Sequence, residues 1–235
     1  MADLDREKFL AAQAAVALVT DGMSVGLGTG SSAAHAVKLL GERVRAGLKI
    51  RGIPTSSRTR ELAQQVGIPL VTFSDTTALD LTIDGADEID PAFQLIKGGG
   101  GALLHERIVA AASGRFVVIS DSTKRVPHLG RFPVPVEVLQ FASPLVAKEL
   151  GKLGVTPALR KDAKGAPYLT DEHNHILDCP FGRIDRPAEI AAAIRAMPGV
   201  VDVGLFINYP DVVFIGEGER AVRLDVPRSG PRRSP

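Results

Sequence analysis

Apolar positions along this chain alternate between two patterns, a helical spacing and short unbroken runs. Leu4 to Val19 predicts a first helix, closed by Asp21-Gly22, and Met23 to Leu27 a short strand. Ser32 to Arg45 predicts a helix with Ala33, Val37, Leu40 and Val44 on one face. A strand over Leu48 to Ile53 and a helix over Ser57 to Val66, ended by Gly67, come next. Pro69 to Phe73 and Leu79 to Ile83 read as strands, Gly101 to Ala112 as a helix, and Arg115 to Ser120 as a Val- and Ile-rich strand. Strands alternating with helices predict an α/β fold with a Rossmann-like open parallel sheet and helices on both faces.

The rhythm then changes. Val134 to Leu139 predicts a strand, Pro144 to Leu153 a helix, Val155 to Arg160 and His175 to Asp178 strands, Pro187 to Met197 a helix and Val200 to Phe206 a strand. This β-α-β-β-α-β order predicts a smaller α+β, ferredoxin-like domain. Val212 to Ile215 returns as a strand of the first sheet, with a turn at Gly216-Glu217-Gly218. Pro127, Gly130 and Pro133 mark a boundary, so residues 1–130 and 207–227 form the Rossmann-like catalytic domain and 131–206 the smaller one. The Arg- and Pro-rich segment 228–235 reads as a disordered tail.

Composition narrows the function classes. Hydrophobic residues make up 45% and charged residues 23% of the 235, as in an ordinary soluble globular protein. Net charge is +1, and three arginines of the tail account for more than that excess, so the body has no basic face. With no Trp and two Tyr, base stacking is not expected and nucleic acid is excluded as a partner. No apolar run reaches membrane-spanning length, which excludes a membrane partner. The apolar stretch Phe9 to Val19 lacks the positive flank of a signal peptide, because Asp3, Asp5 and Glu7 precede it. The single cysteine, Cys179, reads as a small core residue and excludes an internal disulfide; a reducing, cytoplasmic location is expected.

Candidate chemistry gathers at the predicted carboxyl ends of strands, where open parallel sheets bind ligands. Gly26-Leu27-Gly28-Thr29-Gly30-Ser31-Ser32 follows a strand and opens a helix. It departs from the dinucleotide fingerprint at Ser31, and Thr55-Ser56-Ser57-Arg58 stands where that fold wants an acid. A loop of small hydroxyl residues at a helix start suits a lone phosphate, but Ser31 or Ser32 serves equally well as a plain N-cap. Asp84-Gly85-Ala86-Asp87 is either a pair of turn-capping aspartates or a pair of working carboxylates. Lys97-Gly98-Gly99-Gly100-Gly101 sets a cation beside backbone N–H groups that suit an oxyanion.

Glu106 has Ala102, Leu103, Val109 and Ala110 as its helical neighbours. A carboxylate on such an apolar stripe is partly desolvated, which raises its basicity as a general base needs. His105 and Arg107 point elsewhere and read as solvated. Lys124, after the strand ending at Ser120, gains weight from Asp121-Ser122-Thr123 beside it. His35, His128, His173 and His175 have no metal spacing with a carboxylate cluster, so no metal is assigned; no cofactor is expected either.

Taken together, these segments resemble ribose-5-phosphate isomerase of the A type, over nearly the whole chain from Lys8 to about Leu224. The resemblance implies that Glu106 is the proton-transferring base. It implies that Thr29, Gly30, Ser31, Ser32, Asp84, Gly85, Ala86, Asp87, Lys97, Gly98, Gly99, Gly100 and Lys124 bind a sugar phosphate, with Lys8 helping to hold the phosphate. A homodimer or homotetramer working without a metal is implied as well. The chemistry is then an aldose–ketose shift through an enediolate: Glu106 moves the proton, Asp84 or Asp87 opens the sugar ring, and Lys97 with the Gly98–Gly101 amides steadies the oxyanion. Two other readings are a non-catalytic sugar-phosphate sensor and an acyl-CoA transferase. The first wants an attached DNA-binding segment, and the second does not need the aspartate pair.

Overall fold

A computed structural model describes residues 3–227; the expected tail at 228–235 lies outside them. In chain order the elements begin with α1 (Leu4–Val16), β1 (Ser24–Leu27), α2 (Ser31–Arg45), β2 (Arg51–Pro54), α3 (Ser57–Gln65) and β3 (Leu81–Gly85). Two short strands, β4 (Glu88–Ile89) and β5 (Leu95–Ile96), precede α4 (Leu103–Ala111) and β6 (Phe116–Asp121). Then come β7 (Val134–Val138), α5 (Ser143–Gly151), β8 (Ala158–Leu159), β9 (His175–Cys179), α6 (Pro187–Arg195), β10 (Val200–Val203) and β11 (Leu205–Phe206). The chain closes with β12 (Val212–Glu217) and β13 (Arg220–Asp225).

By internal contacts the chain divides into two compact units. Of the described residues, the first holds 3–86, His105–Lys124 and 209–227. Its sheet runs β13-β12-β6-β3-β1-β2, parallel except for β13. All four residues of β1 and all six of β6 are buried, the signature of strands covered on both faces. Val25, Leu27, Ile83, Val117 and Ile119 join Ala12, Ala15 and Val16 of α1 and Val37 and Leu40 of α2 in one core. The opposite face carries α4, whose Val109 lies against Gly26 and clusters with Ile53 and Leu79. Because β1 lies between β2 and β3, the chain reverses its direction of travel across the sheet there, and it is beyond the carboxyl ends at such a point that open parallel sheets bind ligands.

The second unit holds Asp87–Leu104 and Arg125–Asn208. The segment 87–104, placed by sequence with the first domain, therefore packs with the second unit. Its antiparallel sheet runs β10-β7-β9-β8, and β7-α5-β8-β9-α6-β10 is the β-α-β-β-α-β succession expected of a ferredoxin-like domain. A three-stranded sheet, β11-β5-β4, completes the unit.

Four predicted strands come out differently. Pro69 to Phe73 makes only a single bridge, Leu70 with Gly52, since Pro69 has no N–H to give and Thr72 turns the chain by donating to Asp75. Val155 to Arg160 shrinks to β8. Val200 to Phe206 is cut at Gly204, and the two halves join different sheets; a Cβ at Gly204 would stand 2.3 Å from the Lys97 carbonyl oxygen. The last strand is longer than read, and a hairpin partner, β13, follows it. Among the described residues no helix is long and apolar enough to cross a membrane.

Candidate active site

In the first unit, the loops after β1 and β3 interlock. Gly28 donates to the Ile83 carbonyl at 3.0 Å, and the Thr29 N–H to Asp84 Oδ1 at 3.0 Å. Asp84 Oδ1 also accepts from the Gly85 N–H at 2.7 Å. The Asp84 side chain is fully buried and sits where a Cβ on residue 28 would be, 2.2 Å from Oδ1, so only glycine admits it. Beneath the loop lies a knot of hydroxyls: Thr29 Oγ1 is 2.8 Å from both Thr55 Oγ1 and Ser56 Oγ, and Thr59 Oγ1 donates to the Gly28 carbonyl. The 55–59 cluster thus braces the loop from below.

Helix α2 starts with Gly30 at its cap position, at φ 108°, and no side chain caps it. The N-cap role considered for Ser31 and Ser32 is therefore not taken up, because Gly30 rather than a serine occupies the capping position. Ser31 is exposed and Ser32 half-buried, with Gly85 against Thr29 and Ser32. With no side-chain cap, the first-turn N–H groups of α2 are of the kind that suit an anion.

Glu106 is buried, 3% exposed, on α4. The helix runs antiparallel to the strands beneath it. Past its carboxyl end Ser113 meets Thr82 at 2.5 Å, and Val109 lies over Gly26. One turn further back, Glu106 falls toward the carboxyl ends of β1 and β3, the end that carries Gly28 and Asp84. Arg107, expected to be solvated, is half-buried with its guanidinium 5.2 Å from the Tyr209 ring centroid; stacking on the ring compensates its partial desolvation.

At the end of β6, Asp121 is buried and accepts from the Thr123 N–H at 3.0 Å and from its hydroxyl. Lys124, half-buried, ends the short 3₁₀ turn Ser122–Lys124. Lys8 Nζ lies 3.9 Å from Asp121 Oδ2. Beside it the buried Glu7 accepts from the N–H groups of Ser122 and Gly218, both at 2.9 Å. Burial alone would raise the Glu7 carboxyl, but these donors outweigh it and hold the group below its ordinary range.

In the second unit, Asp87 is half-buried and its Oδ2 accepts from the Gly99 N–H at 2.8 Å. Lys97 is 2% exposed, with its N–H on the Gly204 carbonyl and its ammonium 5.6 Å from the Phe206 ring centroid. The glycine run turns at Gly98 (φ 101°) and Gly101 (φ 80°), conformations that side chains resist. Its four amides are not equivalent. Gly99 gives its N–H to Asp87 and Gly101 gives its own to the Gly98 carbonyl, so the loop spends two expected oxyanion donors on its own shape.

Sequence reasoning missed Arg160. Its Nη1 donates to the carbonyls of Gly98 at 2.8 Å and Gly99 at 3.3 Å, while Nε and Nη2 pair with both carboxylate oxygens of Asp178. Nothing local in the sequence links residue 160 to residues 98 and 99; only the folded unit brings them together. Cys179 is a core residue as expected, and burial pushes its thiol up to about 12. Among the described residues no group of three or more His, Cys, Asp or Glu is gathered to hold a metal ion.

Comparison with known proteins decides the family. Residues 51–220 match the family model for ribose 5-phosphate isomerase A (phosphoriboisomerase A). The chain belongs to this family. It is 52% identical over 219 residues to the ribose-5-phosphate isomerase A of Sphingopyxis alaskensis, a match covering 93% of this chain and 96% of that one. Among solved structures it is similar to a D-ribose-5-phosphate isomerase in complex with phospho-erythronic acid, at a TM-score of 0.92 and 37% identity over 95% of this chain and 99% of that one. The ribose 5-phosphate isomerase A of Methanocaldococcus jannaschii is similar at a TM-score of 0.89 and 42% identity, covering 93% of this chain and 97% of that one. As a member of the ribose 5-phosphate isomerase A family, the chain is an isomerase.

Proposed function

We propose that this isomerase interconverts D-ribose 5-phosphate and D-ribulose 5-phosphate by moving one proton between C2 and C1, with Glu106 as the base. The interconversion is the reaction of the family to which the chain belongs, a step of the non-oxidative pentose phosphate pathway. The proton route is inferred from the residues. The observation that carries it is the burial of Glu106 on the face of α4 that lies over Gly26, toward the strand ends bearing Asp84. A carboxylate kept from water beside the reacting carbons takes the C2 proton and returns it to C1.

The enediolate formed between these two transfers carries its charge on oxygen. Lys97 and, of the glycine run, the Gly98 and Gly100 amides are the donors for that oxygen. Asp84 and Asp87 supply the carboxylates that relay the hydroxyl proton when the sugar ring opens. Thr29, Gly30, Ser31 and Ser32, with Gly85 and Ala86 alongside, and Lys124 hold the phosphate, and its binding energy orients the carbon chain. The phospho-erythronic acid bound to a solved relative fits this scheme, since its planar carboxylate holds charge where an enediolate would. The same acid should inhibit this chain.

The reading extends to location and assembly. The enzyme works in the cytoplasm and as a homodimer or homotetramer. Self-association is supported by Phe141, 99% exposed, with Leu139 and Leu145 about half exposed beside it, an apolar patch that a second copy would cover. The deciding experiment for the activity is incubation with ribose 5-phosphate and detection of the ketose. No ketose from folded protein would overturn the proposal.

A further inference from the structure

We propose that Arg160, held by Asp178, is a positioning residue for the isomerisation, fixing and polarising the glycine run. The proposal rests on the reading that amides of this run steady the enediolate. Glycine loses the most chain freedom on folding, so a row of four needs something to hold it in one conformation. Gly101 to Gly98 and Gly99 to Asp87 close the turn from its N–H side. Arg160 holds it from the carbonyl side, at Gly98 and Gly99.

Those two carbonyls belong to the peptides that carry the N–H groups of Gly99 and Gly100. A cationic donor on a carbonyl oxygen draws density from the amide nitrogen and makes that N–H a stronger donor. Gly99 already gives its N–H to Asp87, so Arg160 acts on the enediolate through the Gly100 amide and through the conformation of the run, without touching the substrate. The guanidinium suits the task because its fork is rigid. Nε and Nη2 take the Asp178 carboxylate side-on, at 2.9 and 2.5 Å, which leaves Nη1 pointing at the loop. Asp178 is paired with Ala158 in the β8–β9 register, and Arg160 directly follows β8 with its N–H on the Ile176 carbonyl, so the clamp stands on a sheet rather than on a loop.

The test is kinetic, on Arg160→Met, Arg160→Lys and Asp178→Asn in the full chain, with phospho-erythronic acid as the probe of enediolate-like binding. Arg160→Met should lower kcat about tenfold, less than the 10²–10³ for outright loss of an oxyanion donor. Its KM should stay within about threefold of wild type, because the clamp acts on a charge that develops after binding. The inhibition constant of phospho-erythronic acid should rise in step with the loss of kcat. Arg160→Lys should recover part of the loss, as an ammonium keeps the charge but not the fork. If Arg160→Met does not fold, Asp178→Asn carries the test, with a smaller change in the same direction.

Unchanged kcat and unchanged inhibition would overturn the proposal. So would a lower kcat with unaltered inhibitor binding, the mark of a purely structural role. Turnover of ribose 5-phosphate by the wild-type chain, measured in the same series, tests the function itself apart from the clamp.

Discussion

A glutamate sealed into an apolar helix face is costly to keep, and its isosteric amide isolates what the charge does. Glu106→Gln preserves volume and burial but cannot accept a proton from carbon. Its kcat should fall by roughly 10²–10⁴, the usual worth of a general base, while KM stays near wild type. Steady-state kinetics on ribose 5-phosphate check this, and near-normal turnover would remove the base assignment. Lys124→Ala should behave in the opposite way. Loss of a phosphate contact made equally in ground and transition states raises KM and leaves kcat nearly unchanged. The burial of Glu106 was legible in the sequence because its helical neighbours are local. The Arg160 clamp and the Arg107 stack on Tyr209 were not, since their partners lie far away along the chain.

At the scale of elements, the site depends on how closely the β1 and β3 loops approach. Gly28→Ala would put a methyl 2.2 Å from Asp84 Oδ1 and 2.6 Å from the Asp84 Cα, and a backbone atom cannot swing aside. Overpacking of this kind costs about 1–3 kcal/mol. We expect a lower melting temperature and a fall in kcat/KM together, as Asp84 and Thr29 are forced apart. The Glu7 staple, which joins α1 to the ends of β6 and β12, adds a pH signature. Its folded-state carboxyl is held below the unfolded one, so its stabilisation is full above the ordinary glutamate range near about pH 4.3 and is lost as pH falls through the folded value. Glu7→Gln should therefore destabilise at neutral pH by roughly 1.5–3 kcal/mol, the worth of hydrogen bonds to a charged group, and the gap from wild type should close in acid. Denaturant melts at both pH values measure it. The elements that sequence patterning found are those buried on one or both faces. It missed β13 because an edge strand carries charge to blunt its open side, here Arg220, Arg223 and Asp225, and so does not look like a strand.

Over the whole molecule, the parallel sheet and the β-α-β-β-α-β unit were both readable, because each follows from the order of elements. How the chain is shared between the units was not. The segment 87–104 leaves the first unit after Ala86 and returns at His105, although no Pro- or Gly-rich linker marks the crossing at Asp87. Its allegiance is fixed by β5 pairing with β11, more than a hundred residues further along the chain. Assembly is the other property that local pattern does not carry. Single exposed apolar side chains are ordinary on protein surfaces, but Leu139, Phe141 in the 3₁₀ turn Gln140–Ala142 and Leu145 in the first turn of α5 are three exposed within seven residues. If a second copy covers this patch, Phe141→Asp places a charge in a desolvated contact and drives the copies apart. Sedimentation should then find wild type as a dimer or tetramer and the variant as a smaller species with the same circular dichroism. A wild-type monomer, or a Phe141→Asp variant that assembles normally, would show that some other surface, or none, joins the copies.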